Sequence, residues 1–342
     1  MRTLLALVLA LVLGACSAPA TMSELTTAER RADSGDTEGA VAAYREAQGK
    51  CGSLKPARRA KATCADALLG EAEVLEHAGR LQAAADTYLA IPARAPSDTA
   101  TSATAIERAG ELQLRLGAVV PAWTSLWRVV TDFPDEAPAS DALRVLLRDG
   151  RSRDPHALAD QLAKVLTAVA DSGSADNIVW SLADLTEHEL ANPAAARALY
   201  DRIPKDYPKS GLRDDARWHG ARISRTLGDP QGAVTRLRGL LATREVAWGA
   251  GSYFSIWLDD AQLELGRVLR DDLKDLPGAI AAFEKLPKNY PASILKDDAL
   301  FELAMTQHLA GDQGKACAAI AKLVAQSPDS KYRARRGEVG CD

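Results

Sequence analysis

Apolar positions along this chain of 342 residues follow two patterns. The first is Leu4 to Leu13, an unbroken apolar run. A helix needs ~20 such residues to cross a bilayer core, so the run is too short for a span and has the shape of a signal-peptide core. The second pattern repeats through the rest of the chain. A Gly-containing turn is followed five residues later by Ala and nine later by an aromatic or aliphatic residue. Gly35 leads to Ala40 and Tyr44, Gly79 to Ala84 and Tyr88, and Gly117 to Ala122 and Leu126. Gly228 leads to Ala233 and Leu237, and Gly311 to Ala316 and Ile320. Three degenerate units fit the same frame: Asp154 with Ala159 and Ala163, Ala191 with Ala196 and Tyr200, and Lys274 with Ala279 and Phe283. The eight anchors lie 44, 38, 37, 37, 37, 46 and 37 residues apart. A period near 37 marks a repeat architecture.

Each unit reads as two helices. Small residues five apart, such as Ala299 and Ala304 or Ala216 and Ala221, let a second helix approach the first closely. Ala five after the anchor is their counterpart, and Gly permits the left-handed turn between the helices. Proline then closes many units, in Asp132-Phe133-Pro134, Tyr207-Pro208-Lys209-Ser210, Tyr290-Pro291-Ala292-Ser293 and Ser327-Pro328-Asp329-Ser330. It lacks the amide hydrogen a continuing helix needs, and the Ser two residues later is placed to cap the next helix. One pair cannot bury its own apolar face, so neighbours must stack. Alanine and leucine dominate the composition, which favours helix.

The Tyr-Pro-x-Ser turns, followed by an Asp/Ala-rich helix and a Gly-Asp turn, resemble the tetratricopeptide repeats of bacterial envelope proteins. Two such groups are the D-subunit lipoprotein of the outer-membrane β-barrel assembly machinery and the Tol–Pal-associated periplasmic repeat protein. The match is clearest over roughly residues 193–330, where Tyr207-Pro208 and Tyr290-Pro291 fall. The resemblance implies an all-α, right-handed superhelical solenoid of about eight helix pairs over residues 25–342. At the other end, Leu13-Gly14-Ala15-Cys16 resembles the bacterial lipobox, which implies cleavage of residues 1–15 and a lipid on Cys16. Ser17 stands where Asp retains an enteric lipoprotein in the inner membrane, so the resemblance implies the outer membrane, facing the periplasm. Residues 16–24 then form a tether of at most ~29 Å.

Five cysteines fit that compartment. With Cys16 assigned to lipid, four remain in two sequence-local couples, which an oxidising periplasm would join as Cys51–Cys64 and Cys317–Cys341. No Cys-x-x-Cys or Cys/His cluster suggests a metal site. The formal net charge of −4 gives no electrostatic case for nucleic acid. No cofactor motif appears: His188-Glu189 lacks the second His of a zinc protease, and Gly249-Ala250-Gly251-Ser252 is not a phosphate loop. The acidic pairs Asp214-Asp215, Asp259-Asp260 and Asp297-Asp298 lie near the starts of first helices, where they favour the helix dipole. No active site is assigned.

What remains is binding. Counting back from the turns places Trp218, Arg222, Arg225, Arg267, Arg270, Phe301, Met305 and His308 on one face of the first helices. Two readings stand. Either the arginines hold an acidic or carboxylate-ending peptide, or they are solvated positions paired with neighbouring acids. Trp248, Tyr253, Phe254 and Trp257 crowd the longest interval and read either as a docking patch or as core filling. The expected partners are envelope proteins or peptide segments, with the membrane engaged through Cys16. The functional expectation is a scaffold in envelope assembly; a pilotin-like or secretion-system lipoprotein, a non-catalytic peptidoglycan-associated accessory and a plain spacer are the alternatives.

Overall fold

The computed structural model describes residues 23–54, 57–242 and 255–341. The signal and lipidation assignments, most of the tether, and Trp248, Tyr253 and Phe254 lie outside those residues. The described elements are helices in eight consecutive pairs. They are α1 (Ser23–Asp33) with α2 (Thr37–Cys51), α3 (Ala57–His77) with α4 (Leu81–Arg94), and α5 (Thr99–Arg115) with α6 (Val119–Asp132). Then come α7 (Ala137–Arg153) with α8 (Pro155–Ala168), α9 (Ala175–His188) with α10 (Pro193–Asp206), and α11 (Arg213–Thr226) with α12 (Pro230–Ala242). Last are α13 (Leu258–Arg267), extended by a π-helical turn Val268–Asp272, with α14 (Leu276–Asn289), and α15 (Lys296–Leu309) with α16 (Gln313–Gln326). A 3-10 segment, Lys331–Val339, follows. The fold is the all-α tetratricopeptide type.

Two compact units divide the chain, the first running to Val129 with Glu136–Pro138, the second comprising Val130–Asp135 and Ala139 onward. In the first, α1 to α5 pack each on the next, and α1 also touches α3. In the second, α8 to α16 do the same, and α13 also touches α15. The core of the second unit holds Leu237, Phe283 and Leu323, all fully buried.

The repeat frame is written in backbone angles. Gly35, Gly79, Gly117, Gly228 and Gly311 all adopt φ between 73° and 80°. At each, the Gly amide bonds back three residues and the next amide five, as in Gly35 to Ala32 and Asp36 to Arg31. This double bond closes the first helix and satisfies its last carbonyls. Two degenerate anchors are left-handed without glycine: Ala191 at φ 49° and Lys274 at φ 57°. Their turns are one residue wider, with Asn192 bonding back to Thr186 and Asp275 to Leu269.

Asp154 departs from the frame. It is extended, at φ −155°, and its carboxylate caps α8 by accepting from the Ala157 amide. The cap thus sits where the turn was expected, and the unit is offset by one residue. Leu158 and Leu162 are fully buried, whereas Ala159 is 8% exposed and Ala163 faces solvent. The other seven frame alanines are all at most 1% exposed.

The turn serines also differ from expectation. Leu212 and Leu295 occupy the cap positions of α11 and α15, with no side-chain cap. Ser210 and Ser293, two residues earlier, instead accept those leucine amides at 3.0 Å. The serine hydroxyl also reaches the preceding repeat: Ser293 donates to Asp259, and Ser330 to Asp297, both at 2.6 Å. The acidic pairs do lie in the first turns of α11, α13 and α15, and they fasten one repeat to the next as well.

Candidate protein-binding surface

Side chains on consecutive first helices of the second unit form a ladder of polar pairs. Arg151 of α7 bonds Asp184 of α9 and, at 2.9 Å, Glu189. Glu187 of α9 accepts from Tyr200 at 3.0 Å and lies 3.2 Å from His219 Nδ1 of α11. Arg225 of α11 reaches Glu264 and Asp272, each at 2.7 Å, with Asp271 at 3.7 Å. Arg267 and Arg270 converge on Glu302 of α15 at 2.9 and 2.5 Å. Burial penalises the Arg225 charge, but Glu264 and Asp272 outweigh it and hold the guanidinium more firmly protonated than usual. Burial likewise opposes the Arg270 charge, and Asp271 and Glu302 overcome it. The Tyr200 hydroxyl is pushed up by burial and by the neighbouring Glu187.

Arg225, Arg267 and Arg270 therefore already have carboxylate partners from the same chain. Arg222 is exposed, with no carboxylate partner among the described residues. Trp218 is half-buried and stacks on Trp257, ring centres 5.1 Å apart, while Trp257 Nε1 donates to Asp215 at 2.7 Å. Phe301 is buried beneath the 3-10 segment: Tyr332 stacks on it at 4.3 Å, and Arg335 lies over it at 4.7 Å. Met305 packs partly buried against the core. His308 is exposed, its Nδ1 2.7 Å from Gln313 Oε1. The eight residues do not form one open patch, because Arg225, Arg267 and Arg270 are paired along the ladder and Phe301 is covered.

Cys51 and Cys64 are joined, Cα atoms 5.3 Å apart, as are Cys317 and Cys341 at 5.4 Å. The second bridge fastens the 3-10 segment to α16.

Sequence reasoning missed a pair of clefts on the second-helix side. One, of about 480 Å³, opens between α12 and α14 over α13, with Leu265 and Leu269 in its floor. Its neighbour, of about 320 Å³, opens between α14 and α16 over Leu300 and Leu303. The available signal was Ala-Ala at seven and eight after an anchor and Lys at eleven: Ala281, Ala282 and Lys285, then Ala318, Ala319 and Lys322.

Residues 25–99 match one tetratricopeptide repeat model, and residues 260–293 and 298–330 match another. The chain thus carries tetratricopeptide repeats in both units, the class that the helix pairs define. No curated protein matches the sequence. Among solved structures, YrrB, described as a tetratricopeptide repeat protein with an unusual peptide-binding site, shares 14% identity over 62% of this chain and 97% of its own, with a TM-score of 0.43. MamA from Desulfovibrio magneticus RS-1 shares 15% over 56% and 97%, with a TM-score of 0.39. PilW, described as a type IV pilus biogenesis factor, shares 16% over 78% and 95%, with a TM-score of 0.35.

Proposed function

We propose that this chain is a membrane-anchored, periplasm-facing scaffold that holds protein partners during outer-membrane or cell-envelope assembly. Tetratricopeptide repeats support the scaffold part, since stacked helix pairs expose extended faces suited to proteins and peptides. The anchoring part rests on one observation above all. Four of the five cysteines are joined in two bridges, which leaves Cys16, directly after the apolar run, to carry lipid. A disulfide-bearing chain also suits an oxidising compartment.

The test is crosslinking in intact cells, then purification in detergent and mass spectrometry, with a Cys16→Ala control. Envelope-assembly proteins enriched with the wild type and lost from the control are the expected result. Enrichment of no protein over the control removes the scaffold reading, and equal membrane association of both chains removes the anchor.

A further inference from the structure

The two clefts share a chemistry that the first-helix ladder lacks. Each has an apolar floor from a first helix, an Ala-Ala pair of a second helix in one wall, and one deeply buried glutamine, Gln262 or Gln307. Gln262 Nε2 is satisfied by the Ala282 carbonyl at 3.0 Å. Gln307 is different. It is 4% exposed, lines the α14–α16 cleft, and its buried Oε1 has no hydrogen-bond partner. An unmet buried acceptor is destabilising, so a bound group that supplies a donor recovers that loss.

Charge is distributed in the same sense. Lys285 and Lys322 stand exposed at the rims, and neither has a carboxylate partner among the described residues. Arg225, Arg267 and Arg270 of the opposite face are neutralised by Glu264, Asp272 and Glu302. Within a chain of net charge −4, two cations without carboxylate partners, Lys285 and Lys322, thus stand beside the clefts, and Glu284 in the lining of the second lies 3.7 Å from Lys288. An occupant must offer apolar groups for two separate clefts, negative charge for the rims, and a polar group for a buried amide. An extended peptide backbone carries both a donor and an acceptor, so it satisfies Gln307 whichever way its amide is turned. Packed helices lie roughly 8–10 Å apart, so the clefts on the two flanks of α14 are within reach of a few extended residues at ~3.3 Å each.

We propose that the second-helix face of the last two repeats is a docking site for an extended acidic peptide segment, which seats one apolar side chain in each cleft and one backbone amide on Gln307. The site rests on the scaffold reading and gives the partner its chemistry.

The probe is a fluorescein-labelled peptide of repeated Glu-Ser-Leu units, with a Lys-Ser-Leu peptide as its counterpart, read by fluorescence polarisation against the full chain in detergent. The acidic peptide binds and the basic one does not. Lys285→Glu with Lys322→Glu, both at exposed positions, weakens binding about tenfold or more. Gln307→Leu weakens it about fivefold while leaving the fold at least as stable, an outcome a purely structural glutamine would not give. Arg222→Glu leaves binding unchanged.

Undiminished binding in the second-helix variants overturns the proposal, as does the absence of acidic-peptide binding at millimolar concentration. Loss only with Arg222→Glu moves the peptide to the first helices and leaves the scaffold reading standing. Binding to phosphatidylglycerol vesicles that depends on Lys285 and Lys322, without peptide binding, makes the face a membrane contact instead. Failure of the scaffold reading itself appears separately, as an empty crosslinking result in cells.

Discussion

Ala191 and Lys274 stand where five other repeats have glycine, and both hold a left-handed backbone at φ 49° and 57°. A Cβ in that region costs roughly 1–2 kcal/mol, part of which glycine returns as greater freedom of the unfolded chain. Ala191→Gly and Lys274→Gly are therefore expected to stabilise the protein by about 0.5–1 kcal/mol each. A urea midpoint that rises in both variants is the check; a fall in either contradicts the account. The anchors were readable in the sequence because glycine at a fixed offset from alanine has a steric cause. Asp154 was misplaced because an aspartate reads equally well as a turn or as a helix cap, and only backbone geometry separates the two. The left-handed Ala191 shows the converse: position in a repeat overrode the residue's own preference.

Between elements, polar pairs fix how one helix meets the next, and the first helix pair shows this at the surface. Lys50 of α2 bonds Glu24 of α1 at 2.8 Å, and that hydrogen bond draws the Glu24 carboxyl from its ordinary 4.5 down to about 2. A carboxyl depressed in the folded state favours folding above its unfolded value, and the benefit is lost as pH falls through the folded one. The docking of α1 is thus expected to weaken between pH 4.5 and about 2. The effect is modest and salt-sensitive, since both groups are solvated. Hydrogen exchange of the α1 amides across that range reads it directly, and a Lys50→Met chain with the same acid profile as the wild type would sink the explanation. Of the polar pairs along the second unit, the sequence exposed one member of those made by Glu264 and Glu302, and neither member of Arg151–Asp184 or Glu187–His219. Arg225 and Arg270 were visible as candidates; their partners Glu264 and Glu302 lie 39 and 32 residues on. That separation is about one repeat, and it identifies a partner only once the stacking of first helices is known.

At the scale of the whole molecule, the fold was legible because a repeat restates its instructions: turn, alanine and bulky residue recur at near-constant spacing, and errors in one unit are corrected by the next. The binding surface was less legible. Counting from turns assigns a face to each residue but cannot say that Phe301 lies beneath Tyr332, or that Arg225, Arg267 and Arg270 are already matched. It also overlooked the clefts, whose repeated signal is an Ala-Ala pair, residues that carry no chemistry by themselves.

A stack of like repeats has the logic of a growing polymer, in which each unit offers a surface to the next and something must end the series. Tyr332 follows Ser330 as Leu295 follows Ser293, so the 3-10 segment begins as another first helix would, covers Phe301, and is then turned back by Cys341 to Cys317. It is a cover over Phe301 held by a covalent latch. Opening that latch by Cys317→Ser with Cys341→Ser is expected to free Phe301 as an adhesive end, so that sedimentation coefficients climb with protein concentration. A variant that remains monomeric at every concentration would show that the segment merely rests on the last repeat and does not close it.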